Sequence, residues 1–247
     1  NTDVVINLLG ILHQSKKDSF DKIHHLWPSH LANTMKNLGI KRLIHLSALG
    51  ASFKAPSLYL KSKAHGETTL LNQKDLNLTI LRPSIIFGAR DNFINMFKAL
   101  VKWLPVIVLL SPQSKFQPIY IEDVSKALIK SLWDKKTYGK VYELGGPDVY
   151  SLKEIIKLII KSEKLHRLII PLNKPLSYIF ALSMEILPIK ILTRDNWRSM
   201  QVNNVLDPQY VMPYRYSQEQ LEHYLENKKN RLPMRTKYNL YRSKSGR

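Results

Sequence analysis

Short apolar runs alternate with longer segments of helical spacing along most of the chain. Runs of this kind, closed by turn residues, are typical of buried parallel strands. They predict strands at Asp3–Leu9, Leu43–Leu46, Leu76–Leu81, Val106–Leu110, Ile119–Ile121 and Val141–Leu144. The intervening segments predict helices at Phe20–Leu38, Leu58–Leu71, Phe93–Leu104, Asp123–Trp133 and Ser151–Ser162. This alternation predicts an α/β fold with a doubly wound parallel sheet.

Several residues mark where the predicted helices and strands begin or end. Gly39 stands where a helix C-cap is expected. Pro83 cannot continue a central strand, so the third strand is predicted to end before Arg82. Asp123 is predicted to cap a helix, and Ser151 another, with Glu154 completing a capping box.

The pattern changes after Leu165, and we therefore predict two units, residues 1–165 and 166–247. Leu176–Leu187 is one apolar, helical stretch, and Thr193–Leu206 is polar with scattered apolar anchors. Tyr210–Arg247 is aromatic and basic, and from Lys228 onward it holds no carboxylate side chain. The second unit is predicted to be a helical lobe with a basic tail.

Composition narrows the possible partners. The 247 residues carry a formal net charge of +19, which favours anionic partners such as a nucleotide, nucleic acid or an acidic surface. The absence of cysteine excludes a disulfide framework, a thiol nucleophile and cysteine-ligated metal. No apolar run reaches the roughly 18 residues of a membrane-spanning helix, and Pro175–Leu192 is interrupted by charges and Pro188.

Three residues in Lys41–Lys63 carry candidate chemistry. Ser47 follows the second strand, and Tyr59 and Lys63 lie four residues apart on the next helix. Hydride transfer to a carbonyl needs a proton donor within hydrogen-bond reach, and a lysine on the same helix face can lower the pKa of a tyrosine. We predict Ser47, Tyr59 and Lys63 as catalytic and cofactor-binding residues. Spacing alone is weak evidence, because Tyr224 and Lys228 also match it and an exposed helix face explains it equally well.

Other strand ends supply candidate cofactor contacts. Asn7 and Gly10 end the first strand, where a glycine lets a dinucleotide approach the backbone; an ordinary turn is the alternative. Arg82, Pro83 and Ile86 belong to a strand end and turn whose backbone could hold a carboxamide, with a rigid loop as the alternative.

The spacing of the histidines does not indicate a metal site. His24, His25 and His30 share one predicted helix, but their spacings do not suit a shared ligand set. His45 and His65 are predicted to pack or to face solvent. We therefore predict no bound metal.

These motifs fall in the order seen in extended and atypical short-chain dehydrogenase/reductases, the NAD-dependent epimerase/dehydratase-like proteins. The resemblance covers roughly residues 3–165 and also includes Pro118–Val124 and Tyr142–Pro147. It implies a Rossmann-type fold and a cofactor that is NADP(H) or NAD(H).

A narrower resemblance is to the nucleotide-binding accessory subunit family of respiratory complex I. It depends on His45–Ala51, on Leu192–Asn196 with Asn203–Val205, and on the closing pattern Arg235–Arg247. This family is held to bind NADPH and to support assembly of the NADH dehydrogenase without established turnover.

The chain departs from the family at its start. Family members open with a strand, a glycine-rich loop and a helix that bind the pyrophosphate, and none of these precedes Asn1. We expect a truncated N-terminus, weakened dinucleotide binding and uncovered sheet edges.

The predicted function is an NAD(P)(H)-binding accessory or assembly factor of respiratory NADH dehydrogenase, with complex I subunits and the membrane surface as partners. It would be peripheral to a respiratory membrane, on the bacterial cytoplasmic face or the mitochondrial matrix side. The alternative is an active oxidoreductase or nucleotide-sugar epimerase/dehydratase using Ser47, Tyr59 and Lys63. Nucleic-acid binding is disfavoured, because no nucleic-acid motif accompanies the basic tail.

Overall fold

The computed structural model describes residues 2–185, 193–212 and 219–227. The predicted basic tail from Lys228, the closing Arg235–Arg247 pattern and the end of the Leu176–Leu187 helix lie outside these residues.

The described residues form ten strands and eight α-helices, and most lie where the hydrophobic pattern predicts them. Strands β1 to β10 are Val4–Asn7, Arg42–Leu46, Asn77–Pro83, Ile86–Phe87, Val106–Leu110, Lys115–Phe116, Ile119–Tyr120, Lys140–Leu144, Tyr150–Ser151 and Leu168–Leu172. Helices α1 to α8 are Trp27–Asn37, Leu58–Leu71, Phe93–Trp103, Ile121–Ser131, Leu152–Ser162, Lys174–Met184, Arg194–Ser199 and Leu221–Glu226. A π-helical turn, Lys22–Leu26, leads into α1, and 3-10 turns occupy Lys135–Thr137 and Pro208–Tyr210.

The central sheet has the order β1-β2-β3-β8, and all of its strands are parallel. Successive side chains of β2 point to opposite faces, so Leu43 packs with α1 and α2 while Ile44 packs with α4. Helices therefore cover both faces of the sheet, which confirms the predicted doubly wound α/β fold.

A second core lies beside the sheet and is built from α3, α5, α8 and β5. Strand β5 pairs in parallel with β10, so contacts cross the unit boundary predicted at residue 165. That boundary stays a prediction. The capping box at the start of α5 is confirmed, because the Ser151 hydroxyl accepts from the Glu154 N–H and the Glu154 carboxylate accepts from the Ser151 N–H.

Two local predictions are wrong. Asp123 does not cap α4, which begins at Ile121; it lies inside the first turn, is buried, and pairs with Lys126 at 2.8 Å. Strand β3 does not stop before Arg82 but continues through Pro83, whose carbonyl accepts a hydrogen bond from the Leu49 N–H. Proline is tolerated there because it is the last residue of the strand.

The segment predicted as the first helix contains a π-helical turn. In the π-helical turn the Trp27 N–H donates to the Lys22 carbonyl, five residues earlier, so the turn holds one extra residue. Leu26 and Trp27 are more than two-fifths exposed despite their apolar side chains, whereas His24 and Pro28 are buried.

Candidate functional site

A cavity of about 1050 Å³ opens at the carboxyl ends of β1, β2 and β3. Ligands of open parallel sheets bind in the crevice at this end of the strands. Six of the predicted site residues line the cavity: Gly10, Ser47, Tyr59, Lys63, Pro83 and Ile86. Asn7 and Arg82 are not among its lining residues. The structure thus brings the predicted serine, tyrosine and lysine to one space.

Ser47 lines this cavity and carries a buried hydroxyl. Its side chain is buried, and its Oγ makes no hydrogen bond with the described residues. The backbone is held by a hydrogen bond from the Ser47 N–H to the Leu81 carbonyl at 2.8 Å. Because an unpaired buried hydroxyl costs about 1–3 kcal/mol, this atom fits a ligand oxygen in the cavity.

Helix α2 positions Tyr59 and Lys63, and its N-terminus is held from two sides. The Ser57 hydroxyl accepts from the Leu60 N–H. The Asp195 carboxylate, from α7, accepts from the N–H groups of Leu58 at 2.7 Å and Tyr59 at 3.0 Å. A carboxylate at a helix N-terminus is stabilising. Asp195 belongs to one of the sequence motifs of the narrower resemblance, and the structure gives it this positioning role.

Lys63 is buried beside the loop that follows β1. Its Nζ donates to the Leu46 carbonyl at 3.4 Å, and a Cβ added at Gly10 would lie 3.0 Å from this Nζ. Burial lowers the pKa of Lys63 to about 8, although nearby Glu67 raises it. The lack of a side chain at Gly10 therefore leaves room for an ammonium that is still mostly charged at neutral pH.

Tyr59 differs from the prediction in its acidity. Burial raises the pKa of Tyr59 to about 12, so the expectation of a lowered pKa is wrong. Its ring stands edge-on to Phe20 and His24, with centroid separations of 5.8 Å and 5.5 Å. A phenol in this state is a proton donor at neutral pH rather than a base.

His24 is a site residue that sequence reasoning missed. It accepts a hydrogen bond at Nε2 from the Ile11 N–H at 3.0 Å, and its Nδ1 lies 2.8 Å from the Ser62 hydroxyl. Ser62 Oγ in turn donates to the Tyr59 carbonyl at 2.7 Å. Burial, and then the Lys63 charge, lower the pKa of His24 to about 3. His24 is thus a neutral link between the loop after β1 and the start of α2.

Asn7 acts on the same loop without lining the cavity. Its Nδ2 lies 3.0 Å from Nδ1 of His45, and its Oδ1 accepts from the Leu9 N–H at 3.2 Å. Both side chains are buried, which confirms that His45 packs. Burial, with Lys63 and His24, lowers the pKa of His45 to about 3.

The Arg82 side chain forms an ion pair within the protein. Its guanidinium donates to both carboxylate oxygens of Glu67, at 2.9 Å and 2.5 Å, and lies 3.8 Å from Glu143. Glu67 follows Lys63 by one helical turn, so this ion pair joins β3 to α2. The cofactor role predicted for Arg82 concerns the backbone of this strand end and stays a prediction.

Asn204 was missed as an individual residue, although it belongs to the Asn203–Val205 motif. Its Oδ1 accepts from the Ser84 hydroxyl at 2.5 Å and the Ile85 N–H at 3.3 Å, while its Nδ2 donates to the Leu49 carbonyl at 3.1 Å. It also lines the cavity. One amide therefore holds together the loops that follow β2 and β3.

No group of three histidine, aspartate or glutamate side chains that could hold a metal occurs within residues 2–185, 193–212 and 219–227. His65 is exposed and stands edge-on to Phe53, with a centroid separation of 4.8 Å. The expectation of no metal stays a prediction.

The chain is similar in sequence to mitochondrial respiratory-chain proteins. It is 38% identical over 160 residues to NADH dehydrogenase [ubiquinone] 1 alpha subcomplex subunit 9 of Arabidopsis thaliana, covering 64% of this chain and 40% of that protein. The mouse protein of the same name is 36% identical over 178 residues, covering 71% and 46%. The 40 kDa subunit of NADH-ubiquinone oxidoreductase of Neurospora crassa is 28% identical over 159 residues, covering 64% and 41%. No family model matches the chain.

These similarities confirm the resemblance that the motifs indicate, but they concern part of each relative. The chain spans less than half the length of these three relatives.

Solved structures confirm the fold. A nucleoside-diphosphate-sugar epimerase from Staphylococcus aureus superposes with a TM-score of 0.69 at 15% identity, covering 91% of this chain and 76% of that one. A dTDP-4-dehydrorhamnose reductase from Bacillus anthracis, solved in complex with NADP, superposes with a TM-score of 0.57 at 17% identity, covering 70% and 66%. Both likenesses concern architecture, and both support a Rossmann-type fold.

Proposed function

We propose that this chain is the dinucleotide-binding part of an accessory subunit of a respiratory NADH dehydrogenase. The identity of 36–38% to subunits of that name carries the proposal. The cavity at the carboxyl ends of β1, β2 and β3 is the place proposed for NADP(H) or NAD(H).

The described residues suit the nicotinamide half of such a cofactor. The Lys63 ammonium would hold ribose hydroxyls, and the backbone of Pro83–Ile86 would hold the carboxamide. Ser47 Oγ is buried without a partner among the described residues. It would accept a hydrogen bond from a ligand hydroxyl or donate one to a ligand oxygen. When bound, the nicotinamide supplies hydride transfer. His24 and Asn204 would position these groups by holding the loops around the cavity.

A titration of the full-length protein with NADPH and with NADH, followed by dilution, tests this proposal. An accessory subunit with a structural cofactor is expected to bind tightly and exchange slowly. Absence of binding to both dinucleotides would overturn the cofactor site. Freely exchanging, micromolar binding would favour an enzyme instead.

The second candidate is an active oxidoreductase or nucleotide-sugar epimerase/dehydratase. The observation that favours it is the meeting of Ser47, Tyr59 and Lys63 at one cavity. Ser47 would orient a substrate carbonyl, and Tyr59, protonated at neutral pH, would give it a proton. Turnover in a panel of carbonyl compounds and sugar nucleotides, lost in Tyr59→Phe by at least about 100-fold, would select this candidate.

The proposed partners are complex I subunits and the membrane surface, at the periphery of a respiratory membrane. Within residues 2–185, 193–212 and 219–227, no helix has the length and apolar character needed to span a bilayer. Co-purification of the tagged chain with respiratory membranes, and its release by salt, would support this placement. A chain found only in other fractions would contradict it.

A further inference from the structure

A second cavity, of about 270 Å³, lies between α3, β5 and α6. Helix α3 contributes one face, with Phe93, Met96, Phe97 and Leu100 spaced at helical intervals. Strand β5 contributes Val106–Leu110. The cavity is therefore built from regular elements of the second core and not from loops alone.

The chemistry of this cavity is apolar. Helix α6 adds Phe180 and Met184, and the polar lining residues are His13, Asn92 and Asn196. Its described lining residues include no charged side chain. A phosphate or sugar-nucleotide diphosphate buried here would lose its hydration without a counter-charge, which is strongly unfavourable. The cavity favours a hydrocarbon chain or ring.

The two cavities are neighbours with a common wall. Leu12, Asn92, Phe93, Asn196 and Met200 line both of them. On one side the two cavities are separated by Leu12, whose side chain is 49% exposed and is not part of the packed core. A ligand can therefore place its polar end near Ser47 and its apolar end between α3 and α6.

We propose that this second cavity binds the apolar chain of a small molecule whose carbonyl or hydroxyl end lies in the Ser47 cavity. The inference rests on the proposed function in one respect, which is that a dinucleotide lies beside that polar end. An apolar cavity of about 150 Å³ in another protein binds benzene, so 270 Å³ has room for roughly ten carbon atoms. The substrate or ligand class is thus a medium-chain carbonyl compound or alcohol.

A series of 1-alkanols from hexanol to tetradecanol, titrated into the full chain by calorimetry, tests this inference. Each added methylene is expected to tighten binding by about fourfold, because its surface leaves water. The gain should stop near roughly ten carbons, when the cavity is full. A gain that continues to tetradecanol, or no binding at all, would overturn the inference.

A cavity-filling variant locates the binding. Met96→Trp places an indole into the cavity and is expected to weaken decanol binding by at least tenfold. Ala99→Trp, on the exposed face of the same helix, adds the same side chain outside the cavity and is the matched control. If Met96→Trp does not fold, Met184→Trp fills the cavity from α6. Equal affinity in the filled and control variants would overturn the assignment.

NADPH titrations of the same samples separate the two proposals. NADPH binding without alkanol binding overturns this inference and leaves the proposed function standing. Alkanol binding that the filling variant removes, without NADPH binding, supports the apolar site and overturns the proposed dinucleotide function.

Discussion

The Nε2 atom of His24 accepts a hydrogen bond from the backbone N–H of Ile11 across 3.0 Å. This contact joins the π-helical turn to the loop that follows β1. The other ring nitrogen lies against the Ser62 hydroxyl, which donates to the Tyr59 carbonyl. A neutral imidazole thus fixes the loop and the start of α2 relative to each other.

Replacing this imidazole should loosen the loop. His24→Gln is expected to lower the free energy of unfolding by about 1–3 kcal/mol, since the Ile11 N–H loses a buried acceptor. It should also weaken NADPH binding, because Gly10 and Ile11 line the cavity. Chemical denaturation and NADPH titration measure the two effects. His25→Gln, a neighbour that pairs with Asp21 at the surface, is the control and should change neither value by much. Equal effects in the two variants would contradict the role of His24.

Acidification should unfold the protein through its two buried imidazoles. The pKa values of His24 and His45 are lowered to about 3 by burial, with the Lys63 charge as a further cause. Between about pH 6.5 and pH 3 the unfolded chain binds more protons, so stability falls as the pH falls. Each imidazole should contribute a slope of about 1.4 kcal/mol per pH unit. Denaturation measured from pH 7 to pH 4 should show a shallower dependence in His45→Gln. An unchanged slope in this variant would refute the assignment.

The Lys63 ammonium should lower the stability of the folded chain and strengthen dinucleotide binding. Burial lowers the pKa of Lys63 to about 8, so below that pH the buried charge reduces the free energy of unfolding. Stability should therefore rise between about pH 8 and 10.5. Lys63→Met is therefore expected to stabilise the dinucleotide-free chain at pH 7, by up to about 3 kcal/mol. The same change should weaken NADPH binding by about 10- to 100-fold, since a charged hydrogen-bond donor is lost.

The control for Lys63 is Lys61→Met, which removes a less buried lysine from the same helix and should leave both values nearly unchanged. A Lys63→Met chain that is less stable and binds NADPH normally would show that the ammonium has a structural role alone.

The Arg82–Glu67 pair should prove structural. Their side chains are 19% and 3% exposed, so Glu67→Gln leaves a buried guanidinium without its main partner. We expect a loss of about 3–5 kcal/mol in the free energy of unfolding. Asp75→Asn breaks the exposed pair with Lys36 and is the control, with an expected loss below about 1 kcal/mol. Thermal and chemical denaturation measure both. A stable Glu67→Gln chain that has lost NADPH affinity would instead place this ion pair in the cofactor site.

Close packing of α2 on the π-helical turn should make Gly66 irreplaceable. A Cβ at this position would lie 1.9 Å from the His24 carbonyl oxygen, so the backbone must shift. Gly66→Ala is expected to lose about 1–3 kcal/mol of stability, although alanine is the better helix former. Circular dichroism with denaturant measures the change, and a gain in stability would contradict the packing.

The sequence was sufficient where a local pattern determines the outcome. Helix α2 begins and ends at the predicted Leu58 and Leu71, and the Ser151–Glu154 capping box forms, because both depend on residues a few positions apart. Tyr59 and Lys63 reach the same cavity for the same reason: their four-residue spacing places them on one helix face.

The sequence was insufficient where a contact joins distant segments. Nothing local distinguishes His24 from His25 and His30, and the extra residue of the π-helical turn decides which one is buried. The Arg82 side chain pairs with Glu67 on another element, and no local pattern predicts that ion pair. The pKa of Tyr59 depends on how deeply α2 is packed, which the Tyr-x-x-x-Lys pattern does not contain.

The surplus residue between Lys22 and Leu26 also changes what a small deletion would do. In an ordinary helix, removing one residue rotates everything that follows by about 100° and spoils the packing. Here the loss of one residue from the turn would restore regular winding and keep α1 in place. It would, however, carry the imidazole away from Ile11 and Ser62. A one-residue deletion in this turn should therefore preserve the packing of α1 and remove the His24 contacts that hold the loop after β1.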